Sequence, residues 1–148
     1  MQRLLVQISL LLLLPAVAMA GKYAGTYVLQ EATNENNEPV HVPGHFDLVL
    51  RSEGKDGDED GSYGMSLRIG NALRARVRIS ESSAGGPEAI DIGPIMSTMM
   101  MPPENLFKLE QFMSHALPEM TTIELGQDGK LTLTSEGSEK VVFEQKEE

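Results

Sequence analysis

The chain has 148 residues, 22 acidic against 12 basic, a formal net charge of −10 and no cysteine. So negative a surface repels nucleic acid and anionic lipid, which argues against both as partners. Without cysteine there is no disulfide framework and no thiol nucleophile, so stability must come from an ordinary hydrophobic core, which one domain of this length can build.

Arg3 precedes an apolar run centred on Leu10 to Leu14, Pro15 breaks the run, and Ala18-Met19-Ala20 places small residues at the −3 and −1 positions. This predicts a signal peptide over residues 1–20, cleaved before Gly21. A membrane-spanning helix needs about 20 apolar residues, and the Leu-rich core is roughly half that. The mature chain is expected to run over residues 21–148, with a charge of −11 once Arg3 leaves with the leader. It has no glycosylation sequon, and Lys146-Glu147-Glu148 is not a retention signal. The expected location is outside the cell or in the secretory-pathway lumen, with no membrane anchor after cleavage.

From there, period-two alternation dominates. Residues 24–30 read as a first strand with Tyr27 and Leu29 on one face, and residues 34–38 as a polar loop. Residues 45–52 form a second strand, with Phe46, Leu48 and Leu50 on one face. An acidic turn follows at 54–61, then a strand at 62–69 carrying Tyr63, Met65, Leu67 and Ile69. Gly70-Asn71 turns the chain into residues 72–80, the clearest strand, with Leu73, Ala75, Val77 and Ile79 on one face and Arg74, Arg76 and Arg78 on the other. After a loop at 82–87, a short strand at 88–92 points Ile90 and Ile92 inward.

Beyond residue 102 the period lengthens. Pro103-Glu104 suits a helix opening, with proline at the first helical position. Leu106, Leu109, Met113 and Ala116 make a helical stripe over residues 103–117, and Pro118 ends it. Strands at 121–125, 130–134 and 140–144 finish the chain. The reading is a mostly β (α+β) domain, an antiparallel barrel of about eight strands with one helix between the fifth and sixth.

Four constellations invite a chemical reading. Asp56, Asp58, Asp60 and Gly61 match the first half of a calcium loop, but Leu67 stands where a bidentate Glu is required and the flanks read as strands, so a solvated turn, at most a weak calcium site, is expected. His41 and His45 are four apart, yet Pro43-Gly44 forbids the helix that would converge them on zinc, and His115 stands alone. No metal or cofactor is expected. No nucleophile elbow or phosphate loop occurs, so no catalytic residue is assigned and an enzyme is not expected. The Arg74, Arg76, Arg78 row is either a solvated face with acidic cross-strand partners, the expectation, or a docking strip for an acidic peptide or carboxylate ligand.

The remaining constellation is Gly93-Pro94-Ile95-Met96-Ser97-Thr98-Met99-Met100-Met101-Pro102-Pro103. Thioethers bind Cu(I), but methionine is also an adaptable filler. At least one of Met99, Met100 and Met101 is expected to pack inward beneath the helix while another meets solvent. This segment, followed by a helix with Leu109-Glu110-Gln111-Phe112 and a strand reading Lys130-Leu131-Thr132-Leu133-Thr134, resembles the META domain. That is the family of the bacterial heat-shock protein HslJ and the META proteins of kinetoplastid parasites. Gly25-Thr26-Tyr27-Val28-Leu29 is similar to the family's first strand and Asn71 to its hairpin Asn. The resemblance covers nearly all of residues 23–144, and the triple Met before a double Pro is closer to the parasite branch. The cysteines of many bacterial members are missing here.

The resemblance implies a small barrel-like domain with one helix and no catalytic residues. It implies a role in stress, secretion or virulence. The functional expectation is a non-enzymatic, monomeric protein that binds an unknown protein partner through the Met loop (Gly93, Pro94, Met96, Ser97, Thr98, Met99, Met100, Met101, Pro102) or the Arg face. The alternatives are a barrel that encloses a small ligand and weak metal-ion binding at the acidic turn or the Met cluster.

Overall fold

The computed structural model describes residues 21–53, 61–81 and 86–146. Among them lie ten strands and one α-helix. In chain order the strands are β1 (Gly25–Thr33), β2 (Pro39–Val40), β3 (Asp47–Ser52), β4 (Ser62–Arg68) and β5 (Ala72–Ser80). After them come β6 (Glu88–Ile92), β7 (Met96–Ser97), helix α1 (Glu104–Ala116), β8 (Met120–Leu125), β9 (Lys130–Ser135) and β10 (Lys140–Gln145).

Every pairing is antiparallel, and eight strands run in the order β10-β9-β8-β6-β5-β4-β3-β1. β1 then pairs with β10, from Tyr27 opposite Gln145 to Thr33 opposite Lys140, and closes the barrel. The pairing carries an irregularity between Leu29 and Glu31. One extra residue bends the strand and switches its inward parity, so Tyr27 and Leu29 are buried before it and Ala32 after it.

Alternation makes the core. In β5, Leu73, Ala75, Val77 and Ile79 are buried while each arginine between them is exposed. Tyr27, Leu48, Leu67, Leu73 and Phe143 from the strands and Leu109 and Met113 from α1 are all buried to within 1% and form one core. Each side chain of that size contributes about 1.5–3 kcal/mol by leaving water.

The helix follows β7 rather than standing between a fifth and a sixth strand. β2 and β7 account for the difference, because two residues carry no period. The helix is also shorter than residues 103–117. Pro103 lies outside it as the N-cap, with φ −53° and ψ 147°, and its carbonyl accepts the N–H groups of Leu106 (2.9 Å) and Phe107 (3.1 Å). Pro118 does not stop the chain abruptly; it sits in a 3₁₀ turn, Leu117–Glu119, that leads into β8.

Candidate functional site

The Met loop is built around Asn71, at the turn between β4 and β5. Its Nδ2 donates to the Met100 carbonyl (2.8 Å) and to Glu110 Oε2 (2.7 Å). Its Oδ1 accepts from the Met100 N–H (2.9 Å) and from Thr98 Oγ1 (2.9 Å). All four hydrogen-bonding positions of the amide are therefore used, with the residue only 3% exposed. Glu110, 8% exposed on α1, also accepts the backbone N–H groups of Gly70 (3.0 Å) and Asn71 with Oε1. Thr98 completes the set by accepting the N–H of Ala72 (3.1 Å). One polar network thus ties hairpin, loop and helix together, and a fully satisfied buried network of this kind specifies a single arrangement.

The methionine side chains do not plug the fold. Met96, Met99, Met100 and Met101 are 73, 97, 61 and 87% exposed, so the inward packing expected of one of them does not occur. Two observations explain this. Asn71 holds Met100 by its backbone, which leaves the side chain outside. Pro102 takes the inner place, so close to Gly70 that a Cβ there would lie 2.6 Å from Pro102 Cβ. The space beneath α1 is filled by Leu109, Met113 and Ala116 instead. Phe107, 43% exposed on the first turns of α1, adds to the apolar surface. Gly93 donates its N–H to the Arg76 carbonyl (2.9 Å), Pro94 is exposed, and Ser97 Oγ donates to the Thr98 carbonyl (3.1 Å).

The arginine row adjoins this loop, since Arg74 faces Met96 across the β5–β7 pairing. On the β4 side, Arg74, Arg76 and Arg78 face Ser66, Gly64 and Ser62. Asp91 stands opposite Arg78 on β6. Among the described residues no carboxylate comes within 4.0 Å of any of the three guanidinium groups. Of the acidic cross-strand partners expected for this face, Asp91 alone is in place, opposite Arg78 but beyond ion-pair distance; on the β4 side small side chains occupy the facing positions. A shallow open cleft of about 340 Å³ lies between Val49, Arg51, Glu53, Gly64 and Arg74. A second, of about 420 Å³, lies between Glu53, Ser62, Arg76, Arg78 and Asp91.

A third cluster, unmarked by any sequence motif, sits at the start of β1. The Tyr23 hydroxyl donates to Glu88 and the Tyr63 hydroxyl to Glu81, while the Tyr27 hydroxyl donates to the Tyr23 carbonyl (2.7 Å). Lys22 pairs with Glu88 at 2.8 Å and lies over the Tyr23 ring at 5.3 Å. Tyr23 and Tyr63 meet edge to face, 6.3 Å between centroids. Burial pushes the Tyr27 hydroxyl up to about 12. Burial first, then the hydrogen bond to Glu88 and its charge, raises Tyr23 further. Tyr63 rises through burial and Glu81, offset in part by the N–H of Tyr23. These hydroxyls act as fixed donors that brace the barrel. What could have marked the cluster is three tyrosines in a chain with no tryptophan, each facing inward by the alternation.

Asp56, Asp58 and Asp60 lie outside the described residues, as do residues 1–20, where a signal peptide is expected. His41, His45 and His115 are exposed. Among the described residues no three His, Asp or Glu side chains are grouped to hold a metal ion. No helix among them is long and apolar enough to cross a membrane.

Residues 22–148 match the family model of the META domain. No curated protein matches the chain. Among solved structures, the NMR structure of a protein from Burkholderia xenovorans shares the fold, with a TM-score of 0.60 and 14% identity over 84% of this chain and 83% of that one. A family model that spans residues 22–148 of the 148 places this chain in the META domain family.

Proposed function

We propose that this META-domain protein is a non-enzymatic interaction module that enters the secretory pathway through the signal peptide at 1–20 and binds a protein partner through its Met loop. The observation that carries this reading is the pairing of a fixed backbone with free side chains. Four methionines stand 61–97% exposed on a segment whose backbone is clamped by Asn71 and Thr98. A contiguous exposed apolar patch on a soluble domain marks a binding surface, and methionine is the side chain that best adapts to a partner. A loop kept merely for packing would turn at least one thioether inward. The interior filled by Tyr27, Leu48, Leu67 and Phe143 supports an outer surface over an enclosed ligand. The triple Met before Pro102-Pro103 supports the parasite branch of the family, and with it a link to secretion or virulence.

The experiment is site-directed photo-crosslinking from position 99 in the organism that makes the protein. The expected outcome is a discrete crosslinked species that disappears when Met96, Met100 and Met101 are changed to Gln. A smear of unrelated products, insensitive to those changes, rejects the Met loop as the binding surface. Amino-terminal sequencing of the exported protein tests the leader; any start other than Gly21 rejects that cleavage site.

A further inference from the structure

The arginine strip has a shape as well as a charge. Arg74, Arg76 and Arg78 stand on β5, two residues apart, so successive guanidinium groups recur about every 6.8 Å. β4 lies between this row and a second one, Val49 and Arg51 on β3 with Glu53 just after it, and its facing residues are Ser62, Gly64 and Ser66. The result is a trough with a floor of small residues and walls two strand spacings, or about 10 Å, apart. An α-helix with its side chains is about 10–12 Å across and rides above such a trough, whereas a single extended chain fits into it. Arg51, Arg74, Arg76 and Arg78 line the trough, and none of them is paired with a carboxylate among the described residues. The Glu53 carboxylate reaches over the floor, 3.4 Å from where a Cβ on Gly64 would stand. The trough therefore already admits a carboxylate at its centre, one supplied by its own wall.

We propose that this trough binds an extended acidic peptide segment whose carboxylates alternate along the chain, matching the two-residue period of Arg74, Arg76 and Arg78. Charge complementarity selects the acid: these cations are concentrated on one face of a chain whose net charge is −10. Arginine is suited to it, because its planar fork takes a carboxylate through two parallel hydrogen bonds. A nucleic acid meets the same four cations but also the repulsion of the acidic body around them. Glu53 competes with the incoming carboxylate, and Asp91, opposite Arg78, repels it at that end; together they set an upper limit on affinity. Arg74 also faces Met96 on its other edge, so the arginine wall of the trough separates it from the Met loop by one strand. The inference rests on the interaction reading only for its choice of a protein as the partner; it names the chemistry of the segment that partner would present.

The test is fluorescence anisotropy of the purified protein with a labelled peptide of alternating Glu and Thr. A second peptide carries the same residues with the Glu in one block, and an oligonucleotide of equal charge serves as the rival ligand. The expected result is saturable binding that weakens as salt rises, with the block peptide at least several-fold weaker. Arg76→Gln is expected to weaken it by about tenfold, in keeping with loss of one charge-assisted bidentate contact. Glu53→Gln is expected to tighten it. Both side chains are exposed, and circular dichroism verifies that each variant is folded; Arg74→Gln is the second variant should Arg76→Gln unfold. No binding at low salt, no loss in either arginine variant, or tighter binding of the oligonucleotide overturns the proposal. None of these results alters crosslinking from position 99, so the two surfaces are judged separately.

Discussion

Asn71 grips Met100 by both of its backbone polar groups, donating to its carbonyl at 2.8 Å and accepting from its N–H at 2.9 Å. A side-chain amide used this way imitates a neighbouring β-strand for a single residue. The loop gains a strand's fixity at that point without a strand's extended length, which lets the chain turn into α1 four residues later.

Asn71→Ala removes those bonds, takes the donor from the buried Glu110 Oε2 and leaves the Met100 N–H only the Thr98 carbonyl at 3.0 Å. Two or three such losses are expected to cost about 2–4 kcal/mol. Urea unfolding measures this. A loss under about 0.5 kcal/mol, the size of an ordinary surface change, shows that the clamp does not hold the loop.

Gly70→Ala tests the fit of Pro102 against the hairpin. The new methyl group meets Pro102 Cβ at 2.6 Å and Pro102 Cα at 3.2 Å, and the latter belongs to a backbone that cannot swing aside. Overpacking of this kind costs about 1–3 kcal/mol. Pairing it with Pro102→Gly is expected to recover part of the loss. Equal thermal stability of Gly70→Ala and the unaltered protein refutes the close approach.

Methionine itself provides an internal contrast. Changing Met96, Met99, Met100 and Met101 together to Gln is expected to shift stability by no more than about 0.5 kcal/mol, because all four side chains are already in water. Met113→Ala, at 0% exposure, is expected to cost about 2–5 kcal/mol. Similar losses from the two proteins contradict the outward orientation of the loop.

The tyrosine cluster sets an alkaline limit. Each hydroxyl ionises at a higher pH in the folded chain than at its ordinary value of 10.0. A group raised on folding contributes its full stability below the unfolded value and loses it as pH climbs through the folded one. Stability is therefore expected to fall from about pH 10, through about 12 for Tyr27 and higher for Tyr23 and Tyr63. Tyrosinate absorbance and circular dichroism, followed together, are expected to change in one cooperative step. Three tyrosines titrating near pH 10 while the fold persists rules this out.

Sequence reading succeeded where a period exists. β5 and β6 were legible to the residue, because each side chain there has only one of two faces to occupy. The loop between Gly93 and Pro103 has no such rule. Its composition marked it as distinctive, but the outward turn of Met99, Met100 and Met101 depends on Asn71, more than twenty residues earlier in the chain. Glu110 was illegible for a similar reason. On the helix it reads as one more solvated acid beside Leu109, and only the hairpin's unpaired N–H groups draw it inside. The face of Arg74, Arg76 and Arg78 was read correctly from the alternation, while the small residues that face it on β4 depended on which strands lie alongside. That pairing is set by topology rather than by local sequence.

The seam between β1 and β10 also governs when the fold can exist. Tyr27 pairs with Gln145 and Thr33 with Lys140, so the first and last strands of the domain are mutual neighbours. Chain closure over so long a span is slow, because the entropy of the whole intervening loop is lost before the contact repays it. During synthesis β1 has one edge bare until β10 arrives. The nascent polypeptide is therefore a sheet with a sticky margin, and loss of the last few residues would leave that margin exposed for good. Assembly of this domain waits for its final strand.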